Sequence, residues 1–308
     1  MKKVLGLSLV LTCLSVGSPH SQQAQQAPQI WTGRLSDSIC GASHQAKAGA
    51  MTERECIFEC QKALAKYVLV DQDNKLIPIA NPDLAGFPLY AGRMVRVTGE
   101  LKGGALVATK VEAIPPHLHI GHVMTNWRDT PGNVGFLIAA ISDAKVAVIH
   151  ARLAASLPDN LDLMKLHAGH VLNALDPGIE AKGPGSGYGV KKAAAGALQH
   201  LDFAAKAEGA SANVKTHAVH VSASLTDAIQ WTDQAIALAQ KIRAAASAPE
   251  AAPMTKELVA LTTQIVDGVD ANKDGQIGWQ TGEGGLTQAQ AHMQLMMKGE
   301  GLLENMPR

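Results

Sequence analysis

The hydrophobic period of this chain changes at Pro115-Pro116, and one kind of secondary structure cannot serve both sides of that point. Before the diproline, Val95, Val97 and Leu101 fall roughly alternately with Arg93, Arg96 and Glu100. A period of two places successive side chains on opposite faces of a strand. After it, apolar residues recur at about 3.6, the helical period. Proline lacks a backbone donor and biases the residue before it toward extended backbone, so the pair marks a boundary. The expected fold class is therefore α+β and multidomain. A small β-barrel over 30–114 precedes an α-helical, four-helix-bundle-like domain over 117–246 and a C-terminal helix-loop-helix over 255–300.

The candidate strands are 30–35, 67–70, 75–79, 93–101 and 105–114, with a turn at Gly103-Gly104. Thr52, with Glu55 three residues on, forms a capping box that opens a helix over 52–66. Five short strands and one helix suggest a small closed barrel. The stretch from Gly33 through Cys40 to His44, the pair Cys56/Cys60 and the strands over 93–114 together resemble small secreted bacterial OB-like domains of unknown function. The resemblance covers 30–114 alone. It implies an OB-like barrel and export, and it carries no activity. The barrel is read as a docking or accessory module for a protein partner.

Helices are predicted over 134–157, 161–175, 190–208 and 213–246. The breaks fall at Pro158-Asp159-Asn160, Asp176-Pro177-Gly178 and Glu208-Gly209. Four such helices with mostly short links suggest a bundle. Aromatic residues are only 4% of the chain and alanine is abundant beyond 135, which favours closely packed helices. An Ala/Pro linker over 244–253 leads to a last helix pair, 255–267 and 286–298.

Lys2 and Lys3, an uncharged and mostly apolar run over 4–16, and small residues at Ser15, Gly17 and Ser18 give the pattern of a secretory signal peptide over 1–18. A Gln/Ala/Pro-rich leader follows over 19–29. The protein is expected in the periplasm or outside the cell. The apolar run falls short of the about 18–20 residues that span a bilayer. Without Lys2 and Lys3 the net charge is near −2, and no basic block exists, so nucleic acid is a poor candidate partner.

The histidines are the most unusual feature. Nine of the twelve lie between 117 and 220. His119/His122, His167/His170 and His217/His220 are spaced i, i+3, while His150 and His200 sit singly on other helices. Such a pair sets two rings on one helical face, and a facing helix can complete a metal shell. Imidazole is the commonest protein metal ligand. His150, His167, His170, His200, His217 and His220 are therefore candidate ligands, pointing inward among small residues. The 117–122 segment reads either as a cover over one end of the bundle or as a polar linker. Glu-x-x-His, Cys-x-x-Cys-His and His-Glu-x-x-His are all missing, against a di-iron bundle, covalent haem and a zincin-like protease. What remains is non-covalent haem with axial imidazoles, or copper, zinc or nickel. Isolated structural histidines are the competing reading.

Three cysteines follow the predicted leader. Cys40-x3-His44 and Cys56-x3-Cys60 offer four ligands that would suit zinc; export favours instead a disulfide from Cys40 to Cys56 or Cys60. Asp270, Asn272 and Asp274, with Gly275 at the turn and Gln276 offering its carbonyl, resemble the start of an EF-hand calcium loop. Thr281 stands where a closing Glu belongs, so Glu283 is the candidate substitute and calcium binding is expected to be weak. The loop at 183–192 reads as a flexible connection. His292 with Met293, Met296 and Met297 could contact cuprous copper through soft sulfur, but the stripe reads mainly as packing. No nucleophile–base arrangement is visible. The reading is an exported, non-catalytic protein that binds a transition metal or haem. A haem- or metal-dependent redox enzyme and a metal-free interaction scaffold are the alternatives.

Overall fold

The computed structural model describes residues 28–44 and 51–303, so the signal-peptide expectation lies outside the described residues. The sheet half contains β1 (Gln29–Asp37), α1 (Glu53–Lys62), β2 (Tyr67–Val70), β3 (Leu76–Pro78), the short α2 (Phe87–Tyr90), β4 (Met94–Lys102) and β5 (Ala105–Ala113). The strands form one antiparallel sheet in the order β3-β2-β1-β4-β5. Central β1 serves both flanks: its first part pairs with β4, and Arg34–Asp37 pair with β2. Leu35, Ile57, Leu69, Phe87, Val95, Val97 and Leu106 pack beneath it with α1. Thr52 and Glu55 form the expected capping box of α1.

The sheet does not close into the expected barrel. Its two edges meet only at a single bridge between Ile79 and Leu106, beside which the Asn81 side chain bonds both N–H and C=O of Ala108. The cause is local. Strand β3 is three residues long and ends in Pro78, which has no N–H to give a further ladder.

Seven helices follow among the described residues: α3 (Pro115–Met124), α4 (Phe136–Ala155), α5 (Leu161–Leu175), α6 (Val190–Lys206), α7 (Ala212–Ala244), α8 (Ala248–Asp267) and α9 (Leu286–Gly299). The diproline is the first turn of α3, where a missing N–H costs nothing. Residues 117–122 are thus helical rather than a linker. Most of the expected Ala/Pro linker is helix too, since α8 begins at Ala248 with a proline in its first turn. Asn160 and Ser211 cap α5 and α7 by accepting the N–H of Leu163 and Val214. The 33-residue α7 is the spine, contacting α5, α6, α8 and α9. One apolar core runs from Ile120 to Leu302, so α8 and α9 share it with the four expected bundle helices and α3. No described helix is long and apolar enough to cross a membrane.

Two buried carboxylates tie glycine-rich loops to this core. Asp143 on α4 accepts from Ser186 N, Ser186 Oγ and Gly189 N at 2.7–2.9 Å. Asp227 on α7 accepts from Gly282 N at 2.8 Å. The loop read as a flexible connection is therefore pinned. At Gly189, φ is +87° and an added Cβ would lie 2.5 Å from the Pro177 ring, so only glycine fits. Asp143→Ala leaves three donors with no acceptor in a buried site. It should destabilise the protein by about 2–4 kcal/mol, read as a lower urea midpoint at unchanged slope. An unchanged midpoint would show that the loop holds itself.

Candidate metal centres

Six helices place one histidine or a histidine pair in the same register. In α3, α5 and α7 the pair is followed at the first histidine's i+1 and i+4 positions by Ile120 and Val123, Ala168 and Val171, Ala218 and Val221, all buried. In α4, α6 and α9 the single histidine is followed likewise by Ala151 and Ala154, Leu201 and Ala204, Met293 and Met296. Those apolar positions face the core. The histidines, rotated about 100° away, lie along the seams between helices. They are half-buried rather than central, with only His200 counted as buried.

Each pair meets a single histidine from a neighbouring helix. The three groups are His119, His122 and His200 (α3 with α6), His150, His167 and His170 (α4 with α5), and His217, His220 and His292 (α7 with α9). In all three the closest atoms are Nδ1. His200 Nδ1 lies 3.0 and 3.1 Å from those of His119 and His122. His150 Nδ1 lies 3.0 and 3.3 Å from those of His167 and His170. His292 Nδ1 lies 3.2 and 3.4 Å from those of His217 and His220.

A ring nitrogen carries either one proton or one in-plane lone pair, whichever tautomer is drawn. The shared Nδ1 can therefore satisfy one neighbour by hydrogen bonding but not both. A cation at the centre accepts all three lone pairs. With zinc–nitrogen bonds of about 2.0–2.1 Å, tetrahedral coordination separates ligand nitrogens by about 3.3–3.4 Å and octahedral coordination by about 3 Å. The observed separations fall in that interval.

The electrostatics favour the ligand form. Burial, then the charges of His122 and His119, push His200 down to about 4. Burial also lowers His119, His122, His150, His167, His220 and His292, and in all but His119 neighbouring histidines of the group lower them further. Neutral imidazole is what a metal needs. Aromatic rings brace two of the groups. Trp127 lies 4.8 Å from His122 and 4.9 Å from His200 between centroids, and Trp279 stacks on His220 at 3.9 Å.

The six histidines singled out from the sequence thus divide among three groups. His119, His122 and His292 complete those centres, although the sequence reading left the first two in a segment of open role and put the third in a packing stripe. A signal for them was present. Leu118-His119-Ile120-Gly121-His122-Val123-Met124 and Leu166-His167-Ala168-Gly169-His170-Val171-Leu172 are near copies, and His217-Ala218-Val219-His220-Val221 is a third. His117 stays outside: its Nε2 lies 3.0 Å from Glu300 Oε2, whose other oxygen accepts from Ser211 and Asn213.

Among the described residues the cysteines hold no disulfide. Cys40, Cys56 and Cys60 are free thiols, with Cys40 Sγ 3.7 and 3.6 Å from the other two. A disulfide needs about 2.05 Å. Burial, hydrogen bonds to Cys60 and Cys56, and the Asp37 charge push the Cys40 thiol up to about 12.

At the C-terminal loop, Asp270 accepts from Asp274 N and Gly275 N, and Asp274 accepts from Gln276 N. Gly275 supplies the turn with φ +88°. Buried Glu283 folds back to accept from Asn272 N and Gly278 N. The carboxylates of Asp270, Asp274 and Glu283 are not among the described groups whose ligand atoms gather within 4.8 Å.

Comparison with protein-family models, with curated proteins and with solved structures finds no match for this chain.

The lowered histidines fix a pH dependence for the metal-free protein. Unfolding returns them to about 6.5, so the unfolded chain binds more protons below that value. Stability is then full above about pH 6.5 and declines as pH falls toward 4. The melting temperature should drop over that window and drop less in His119→Ala/His122→Ala/His200→Ala. Equal slopes in the two proteins would contradict this assignment.

Proposed function

We propose that this chain is a transition-metal-binding protein with three separate tris-histidine centres. More particularly, we read it as an exported protein that takes up divalent zinc, copper or nickel and holds several ions per chain. The observation that carries this reading is the threefold recurrence of one arrangement: a helical pair and a facing single histidine, with three Nδ1 atoms converging. Imidazole-only ligation suits these borderline ions better than calcium or magnesium. A bare ion fits better than haem, because a haem between axial imidazoles would force apart nitrogens that here stand 3.0–3.4 Å from one another. Export rests on Lys2, Lys3 and the apolar run over 4–16. Binding rather than catalysis is proposed because each centre is built from ligands alone, with protein packing behind them.

Equilibrium dialysis with elemental analysis tests the reading. The histidine centres should contribute three equivalents of ion. His150→Ala, His200→Ala and His292→Ala should each remove one, independently, while helicity is kept. Unchanged stoichiometry in all three variants would overturn it. The same ions should raise the melting temperature in proportion to the centres remaining.

Calcium enters the proposal as a weak brace of the 270–283 loop. The supporting observation is the return of the Glu283 carboxylate to Asn272 and Gly278. Closure through Glu283 means that Glu283→Gln should abolish calcium binding seen by calorimetry at millimolar concentration. Persistence of binding in that variant would exclude this closure.

A further inference from the structure

The sheet half carries a fourth donor cluster, of different chemistry. Cys40 sits in the turn after β1, and Cys56 and Cys60 lie one helical turn apart on α1, facing it. The three sulfurs lie within 4.8 Å of one another. Cys56 and Cys60 are 1% and 5% exposed, and Cys40 is half-buried. Beside them, Asp37 Oδ2 and His44 Nδ1 are buried without a hydrogen-bond partner among the described residues, 3.8 Å apart. The other Asp37 oxygen accepts from Ile39 N and Cys40 N, fixing the turn that presents the thiol. Asp37, Cys40 and His44 themselves bring ligand atoms within 4.8 Å. Cys40 is thus the hub of two overlapping groups. Buried polar atoms normally find partners, so two orphans beside three converging thiols point to an absent electron-pair acceptor.

We propose that Cys40, Cys56 and Cys60 bind one zinc-class divalent ion as thiolates, with His44 as fourth donor. The proposal is independent of the tris-histidine reading. Tetrahedral zinc–sulfur bonds of about 2.3 Å separate sulfurs by about 3.8 Å, and a planar three-coordinate ion would need about 4 Å. The 3.6 and 3.7 Å separations lie nearer the tetrahedral value. Charge points the same way. Three thiolates beside the Asp37 carboxylate are better balanced by a divalent than by a monovalent ion, and a neutral imidazole adds no further negative charge. On binding, each S–H bond breaks as its sulfur–metal bond forms, and the protons pass to solvent. No oxidant or reductant is required.

The test uses the full chain, reduced and metal-free, with cobalt(II) as probe. Thiolate–cobalt charge-transfer absorption cannot come from imidazole, so it reports this cluster alone. It should persist in His150→Ala/His200→Ala/His292→Ala, saturate there at one equivalent because the competing histidine centres are removed, and vanish in Cys60→Ser. His44→Ala should keep that absorption but alter the visible ligand-field bands; unaltered bands would remove His44 from the site. A measurement on the wild type avoids any folding defect of a variant: zinc should slow alkylation of all three thiols. Absence of charge transfer, alkylation indifferent to zinc, or a Cys40 disulfide that forms in zinc-replete protein would each overturn the proposal.

Discussion

In each histidine group the nitrogens of a helical pair stand 3.0–3.4 Å from that of the facing single histidine, and packing behind them, more than attraction among themselves, holds them there. The shared nitrogen can hydrogen-bond one neighbour but leaves the other unsatisfied, and burial and neighbouring rings oppose protonation of His122, His150, His200 and His292. The helices supply the restraint. Buried residues at the i+1 and i+4 positions lock each helix's rotation and so set the seam along which the histidines lie. Core packing, rather than the donors, sets the geometry of the centres.

That dependence explains what could be read from the sequence. The change of period at Pro115-Pro116, the pairing of strands over 93–114 and the helices over 161–175 and 286–298 follow from local patterning, and the structure has them in place. The histidine pairs were legible because i, i+3 spacing is local. Their partners were not. His200 belongs with His119 and His122 only because α3 crosses α6, and His292 meets His217 only because α9 returns along α7. Nothing within a turn or two of either residue records those crossings. The packing stripe assigned to Met293 and Met296 was real, and it hid the ligand that the same stripe orients.

In the sheet half the strands were legible to within a residue or two, while closure was not. Whether two edges meet depends on a short strand ending in Pro78 and on Asn81 reaching Ala108, contacts that no alternation pattern encodes. A disulfide was expected from the cysteine count and compartment. The three thiols face one another without bonding, so cysteine arithmetic located the cluster and missed its state.

The three tris-histidine groups span very different lengths of chain. His150 and His167 are 17 residues apart, His217 and His292 are 75, and His119 and His200 are 81. Loop-closure entropy grows with the segment enclosed, and contacts of short span form first. The α4–α5 hairpin can therefore present a complete ligand triangle while the rest of the chain is still disordered. The other two triangles come into being only when α6 and α9 have docked. With the metal binding proposed above, a chain folding where metal is plentiful would take its first ion on this hairpin, and that ion would then template the hairpin onto which the later helices assemble.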